Sequence, residues 1–176
     1  LLCGESIQQI DIKLLKNEIT YGINLIILHD DIKDIDLTYY SNLDDNRILK
    51  HGLPQWPTDQ LGELGDNGAL KLYREINSRL QKSTTLIMNS RNFKHYKNES
   101  YFKERDIFYC KRGKDLILDT TEPIDLVADM TKRLQGGGQV YYSLLMLMYM
   151  GFKEIYLCGA GYTYDPMYYL HFYDME

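Results

Sequence analysis

Glycine residues flank an apolar stretch near the end of this sequence, and their arrangement could hold an anion. Gly136, Gly137 and Gly138 come directly before residues 139–150, which carry no charged side chain and predict a buried helix. The first turn of a helix presents free backbone amides and a partial positive charge, both of which favour phosphate. Glycine also lets the backbone approach a ligand closely. The cluster is therefore a candidate phosphate site, with a flexible loop as the alternative.

Two further glycine turns follow predicted strands. Gly4 comes after the apolar residues 1–3, and Gly159 and Gly161 come at the end of the strand-like residues 154–158. In an open α/β sheet, ligands bind outside the carboxyl ends of the strands, so we expect the turns to converge on one edge. Their spacing is neither that of a Walker A loop, which needs a following Lys-Ser/Thr, nor that of the GxGxxG fingerprint.

The elements that would position these turns alternate along the chain. Helices are predicted over residues 10–17, 69–82 and 139–150, with Gly151 ending the last one, and residues 25–32 suit either a helix or a buried strand. Strands are predicted within residues 1–3, 18–24, 35–46, 84–90, 107–112, 116–121 and 154–159. This alternation predicts an α/β fold, Rossmann-like, with a mostly parallel sheet and helices on both faces. We expect one such domain over residues 1–176, as a fragment truncated at both ends.

Composition excludes several classes of function. The net charge of −5 is unfavourable for a general nucleic-acid binder, which needs a basic face. The three cysteines are far apart and form no CxxC pair, which argues against a zinc site or a disulfide framework and for a reduced cytosolic environment. The longest apolar run, residues 140–150, is too short to span a membrane.

Two blocks of the sequence carry a resemblance to a known family. Residues 3–24 and 151–164 resemble the bacterial sialyltransferases that modify lipooligosaccharides. They also resemble the related MptE-like family, named for 6-hydroxymethylpterin diphosphokinase, and polysaccharide-synthesis proteins. Gly4, Ser6, Ile7 and Asp11 match the first motif, and the whole of Gly151–Gly159 matches the second.

The resemblance implies a Rossmann-like fold and a glycosyltransferase that takes a sialic-acid-like sugar from a CMP-linked donor to a surface glycan. It places the donor against the first glycine turn, the ends of the following strands, the turn before the late helix and the tyrosines after the last strand. The implied donor-binding residues are Gly4, Ser6, Asn24, Asn42, Gly136, Gly137, Gly138, Gln139, Tyr162 and Tyr164, with Tyr168 and Tyr169 as further candidates. His171 matches the general base of the family, and its alternative is a loop histidine ordered by Tyr173 and Asp174.

The chain departs from the family pattern at four points. Cys3 and Glu5 stand where the family has Asn and Pro, Gly161 stands where relatives often carry Asp, and the glycine turn lacks Thr and Ser hydroxyls. These differences point to another nucleotide or to an inactive relative.

Two other functions stay open at this stage. Asp44 and Asp45 could hold Mg²⁺ on a diphosphate in a pterin diphosphokinase, although a solvated turn is the simpler interpretation. The other alternative is a non-catalytic nucleotide-binding module. Under the leading hypothesis no cofactor is required, and the partners are a nucleotide sugar and a glycan acceptor, not nucleic acid. We expect a cytoplasmic protein, compatible with an oligomer and with peripheral association at the inner face of the membrane through flanking segments.

Overall fold

The central element is a four-stranded sheet in which every pair of neighbouring strands is parallel. The computed structural model describes residues 1–43, 68–90, 93, 102, 104–110 and 138–160. The strands are β1 (Tyr21–Ile23), β2 (Tyr39–Asn42), β3 (Thr85–Asn89) and β4 (Ile107–Cys110), and they lie in the order β1-β2-β3-β4. Tyr21 pairs with Tyr39, and Leu86 pairs with Ile107. The α/β class predicted from the sequence is confirmed.

The first residues of the chain extend this sheet beyond β1. The Leu1 amino group donates to the Tyr21 carbonyl at 2.6 Å, and the Ile23 amide donates to the Leu1 carbonyl at 3.2 Å. On the other side, the Leu2 amide donates to the Cys158 carbonyl at 2.8 Å. The N-terminal segment, residues 1–4, therefore lies between β1 and residues 158–159, so that the first and last described segments are neighbours.

Helices cover both faces of the sheet, as the sequence predicts. The α1 helix (Gly68–Arg79) lies on one face of the sheet. Its side chains Leu72, Tyr73 and Ile76 are buried there in one cluster with Tyr40, Leu86 and Met88 of the strands. The α2 helix (Gln139–Tyr149) packs on the other face against residues that alternate with these along the strands. The buried members of this second cluster are Leu2, Tyr21, Ile23, Leu43, Ile87, Tyr142, Leu145 and Met146. Parallel strands that are covered on both faces bury side chains on both faces. This explains why the strands are almost continuously apolar in place of alternating apolar and polar residues.

The end of α2 is a Schellman motif at the glycine that the sequence predicts. Gly151 has φ +91°, its amide donates to the Met148 carbonyl at 3.0 Å, and the Phe152 amide donates to the Leu147 carbonyl at 3.1 Å. These two bonds satisfy carbonyls that the helix itself leaves unpaired, and glycine adopts the left-handed conformation without steric cost.

Two sequence predictions differ from the structure. The short helix predicted over residues 10–17 is a 3-10 helix at Ile12–Leu15 and not an α-helix. Residues 25–32, which suit either a helix or a buried strand, lie in the 3-10 helices Asn24–Leu28 and Asp30–Asp34. The predicted strand over residues 154–159 forms no regular strand, and only its end pairs with the N-terminal segment. A 3-10 helix of four or five residues is too short to show a period, so periodicity does not distinguish it. The predicted strand at residues 116–121 lies outside the described residues.

Within the described parts of the chain, each helix is too short or too polar to cross a lipid bilayer.

Candidate functional site

The carboxyl ends of the parallel strands bring several of the predicted site residues to one edge of the sheet. Gly4 ends the N-terminal segment, Asn24 directly follows β1, and Asn42 is the last residue of β2. Since the strands run in the same direction, these three positions share the edge where α/β folds bind ligands. The chain order reverses between residues 1–4 and 158–159, which marks the switch point of this fold.

The start of α2 is held at this same edge by the side chain of Gln139. Its Oε1 accepts from the Leu43 amide at 3.1 Å, and its Nε2 donates to the Ser41 hydroxyl at 2.5 Å. Because both polar atoms of this carboxamide are bonded within the protein, the Gln139 side chain positions the helix and has little capacity left for a ligand. The Ser143 hydroxyl donates to the Gln139 carbonyl, four residues earlier, at 2.9 Å and so stabilises the first turn of α2.

Asn24 adopts a conformation that few non-glycine residues take. Its φ is +48°, in the left-handed region that asparagine tolerates better than most side chains. The buried Tyr40 hydroxyl donates to the Asn24 carbonyl at 2.5 Å and fixes this conformation. The Asn24 carboxamide oxygen is buried and has no hydrogen-bond donor among the described residues.

The carboxamide oxygen of Asn42 is in the same situation as that of Asn24. The residue is 5% exposed, and its Oδ1 also lacks a donor in the described part of the chain. A buried acceptor without a partner costs about 1–3 kcal/mol of stability, so such groups call for an explanation. Two of them at neighbouring strand ends are suited to accept hydrogen bonds from hydroxyl or amino groups of a ligand.

The amide of Gly4 is already used by the fold. It donates to the Gly159 carbonyl at 2.8 Å, so the first glycine turn cannot bind a phosphate through that amide while the bond is intact. Ser6 lies in the 3-10 helix Glu5–Gln9, is half-buried, and makes a contact of its own within the protein. The Glu5 residue is exposed.

Gly159 has a packing reason to be glycine. Its φ is +80°, and a Cβ atom built there would lie 2.5 Å from the Leu2 carbonyl oxygen and 3.1 Å from the Ile7 Cβ. Real Cβ atoms do not approach backbone atoms so closely, so the residue is glycine because two backbones meet there. The prediction that this turn binds phosphate therefore has a sufficient structural alternative.

Gly138, by contrast, has no such reason among the described residues. It precedes α2 with φ −71°, a conformation open to any residue, and a Cβ atom there would meet nothing within 4 Å. No side chain caps the helix at this position. Close approach of a ligand remains a physical reason for glycine here.

Cys3 stands at the end of the N-terminal segment, where the resembled family has asparagine. Burial raises the pKa of its thiol to about 12, and its Sγ donates to the Ile23 carbonyl at 3.4 Å. The thiol is therefore neutral at physiological pH and serves the core, not nucleophilic chemistry. Burial likewise raises the pKa of the Tyr21 hydroxyl, which lies near Ser41 and Ser143.

Asn89 is the site residue that sequence reasoning missed. It is fully buried at the end of β3, and its Nδ2 donates to the Leu43 carbonyl at 2.9 Å. The signal was present in the sequence, because Asn89 ends a predicted strand in the same way as Asn42 ends its own.

The remaining predicted site residues lie outside the described residues. They are Gly136, Gly137, Tyr162, Tyr164, Tyr168, Tyr169, His171, Asp44 and Asp45. Within the described ranges, no group of three or more His, Cys, Asp or Glu side chains could hold a metal ion.

A groove of about 620 Å³ runs along residues 154–158 and is lined mainly by apolar side chains such as Leu14, Ile19 and Leu147. Asn24, Asn42 and Gly138 do not line it. The groove and the strand-end edge are therefore different places.

Comparison with known proteins gives no match: none of the protein-family models fits the chain, and neither the curated proteins nor the solved structures contain a similar one. The resemblance to the sialyltransferases thus rests on the residues quoted above.

Proposed function

We propose that this chain is a glycosyltransferase that moves a sugar from a nucleotide-linked donor to a surface glycan. The observation that carries the proposal is the pair of buried carboxamide oxygens of Asn24 and Asn42, which have no donor among the described residues, at the edge where parallel α/β sheets bind ligands. Donor hydroxyl or amino groups, as in a nucleoside, would satisfy both oxygens. The uncapped start of α2 would face the donor phosphate.

The proposed chemistry is a direct displacement at the anomeric carbon of the sugar. His171 removes the proton of the acceptor hydroxyl as that oxygen forms a bond to the anomeric carbon. The bond from that carbon to the phosphate oxygen breaks, and the nucleotide leaves with the electron pair. Tyr162 and Tyr164, with backbone amides, donate hydrogen bonds to the departing phosphate. The histidine and tyrosine roles follow from the resemblance alone.

Calorimetry with CMP, UDP and ATP, each with and without Mg²⁺, tests the proposal. We expect CMP to bind without metal. Binding of ATP only in the presence of Mg²⁺, and its loss in Asp44→Ala, would instead favour the pterin diphosphokinase. If none of the nucleotides binds, the transferase proposal is overturned.

A matched pair of variants tests whether the Asn42 oxygen is reserved for a ligand. Asn42→Leu removes an unpartnered acceptor at the carboxyl end of β2, and Thr84→Val removes a fully buried, unpartnered hydroxyl just before β3, at the opposite edge. Replacing an unsatisfied polar group by an apolar one of similar shape is near neutral or stabilising, so neither variant should unfold the protein. We expect Asn42→Leu alone to weaken CMP binding, by about tenfold, the loss of one hydrogen bond.

If Asn42→Leu and Thr84→Val bind CMP with equal affinity, the Asn42 oxygen does not contact the nucleotide.

A further inference from the structure

The backbone of Leu43 is held on both sides by side chains from distant parts of the chain. Its amide donates to Gln139 Oε1 at 3.1 Å, and its carbonyl accepts from Asn89 Nδ2 at 2.9 Å. Gln139 lies 96 residues and Asn89 lies 46 residues away along the chain. Both bonds are buried. We name this arrangement the Leu43 clamp, made of Leu43, Gln139 and Asn89.

The clamp holds Leu43, the residue that directly follows β2. Past Asn42 the ladder to β3 ends, since Asn42 pairs with Met88 as the final register pair. Without ladder bonds, the amide and carbonyl of Leu43 would be buried and unpaired, which is costly. The side-chain carboxamides of Gln139 and Asn89 supply the hydrogen bonds that a neighbouring strand would otherwise make to the Leu43 backbone.

The same clamp sets the position of α2 relative to β2. Gln139 is the first residue of α2, is 6% exposed, and bonds through both polar atoms to Ser41 of β2 and to Leu43, the residue directly after β2. A shift of the helix along the sheet would break both bonds at once. The start of α2, the end of β2 and the end of β3 are therefore tied into one unit.

We propose that Gln139 and Asn89 are positioning residues that hold Asn42 and the first turn of α2 in the geometry needed to bind the nucleotide. This inference rests on the proposed function, because the ligand is the one proposed there. It assigns to Gln139 a role through Leu43 and Ser41 in place of direct donor contact, and it adds Asn89 to the site. Misplacement of binding groups by about 1 Å can cost up to about 100-fold in rate or affinity, so a clamp of this kind has a measurable effect.

Two isosteric variants open the clamp from opposite sides. Gln139→Met removes the acceptor of the Leu43 amide, and Asn89→Leu removes the donor to the Leu43 carbonyl. Ile76→Val is the matched control, because Ile76 is fully buried in the cluster on the opposite face of the sheet. All CMP titrations are made well below each variant's melting temperature, where a loss of global stability leaves the folded fraction, and therefore the dissociation constant, unchanged.

We expect each clamp variant to weaken CMP binding by about tenfold or more, while Ile76→Val binds as the wild type does. The double variant should lose little beyond the larger single effect, since two parts of one clamp are not additive. If Gln139→Met does not fold, Asn89→Leu opens the same clamp alone. Unchanged affinity in the folded clamp variants would overturn the inference.

Hydrogen exchange separates a failure of the clamp from a failure of the proposed function. Asn89→Leu does not touch the bond between the Leu43 amide and Gln139, so faster exchange of that amide would show that the two sides act together. If the wild type binds no CMP, the transferase proposal falls and the exchange result alone decides on the clamp. If the Leu43 amide exchanges at the wild-type rate in Asn89→Leu, the inference that Gln139 and Asn89 act together on Leu43 is overturned.

Discussion

At the scale of single residues, the glycines at the strand-end edge serve different physical needs. Gly159 is required by a close backbone contact and by its positive φ. Gly138 has neither requirement among the described residues. A sequence pattern of repeated glycines reads the same in both cases, because it contains no information on which backbone approaches which. The ligand hypothesis is therefore strongest where packing and conformation leave glycine unexplained.

This difference between the two glycines predicts opposite outcomes for the same substitution. Gly159→Ala places a methyl group 2.5 Å from a backbone oxygen at φ +80°, so we expect a loss of at least about 2 kcal/mol in the free energy of unfolding. Gly138→Ala fits its backbone and should be neutral or stabilising by about 0.4–1 kcal/mol. Urea unfolding of both variants checks this, and a destabilised Gly138→Ala would mean that packing requires that glycine as well.

At the scale of elements, periodicity and glycine stops are reliable for the long helices and the buried strands. The stripe of Leu70, Leu72, Tyr73, Ile76 and Leu80 predicts a helix over residues 69–82. The burial of its last four members, along α1 and just past its end, confirms this prediction. The 3-10 helices are harder to predict, since four or five residues form about one turn and show no period. The pairing of residues 158–159 with the N-terminal segment depends on contacts remote in sequence, and so does the Leu43 clamp. Such contacts are set by tertiary packing, which local patterns do not record.

The end of α1 offers a prediction about an element held from outside. The Arg105 guanidinium donates to the Leu80 carbonyl at 2.7 Å and also to the carbonyls of Gln81 and Asn77. These carbonyls lie at or just past the end of the helix, where no further turn can satisfy them. We expect Arg105→Met, which keeps much of the aliphatic stem, to lower the free energy of unfolding by about 1–2 kcal/mol.

The control for this cap is Arg79→Met, at the last residue of α1, which forms an i,i+4 pair with Glu75 at 2.7 Å and also donates to the Leu28 carbonyl at 3.5 Å. Partly exposed pairs of this kind contribute about 0.3–0.5 kcal/mol. Thermal unfolding should give a lower melting temperature for Arg105→Met than for Arg79→Met. The reverse order would contradict the capping role of Arg105.

At the scale of the whole molecule, the chain order across the sheet brings the first and the last described segments together. The N-terminal segment lies inside the sheet, bonded to β1 on one side and to residues 158–159 on the other. Cys158 and Ala160, from the last described residues, pack against the two buried clusters of the core. Cys3 is part of this junction and is buried with it, so its titration reports on the integrity of the sheet as a whole.

That burial predicts how stability depends on alkaline pH. The ordinary thiol pKa is 9.0, and burial raises it to about 12 for Cys3 and to about 11 for Cys110. Between pH 9 and 11 the folded protein therefore keeps protons that the unfolded chain releases. Stability is fully present below pH 9 and is lost as the pH rises, by about 1.4 kcal/mol per pH unit for each thiol. Urea unfolding at pH 8, 9, 10 and 10.5 measures this slope, which Cys3→Ala should reduce by about 1.4 kcal/mol per pH unit. An unchanged slope in Cys3→Ala would mean that the thiol ionises in the folded protein, and that the junction between the N-terminal segment and residues 158–159 is open to solvent.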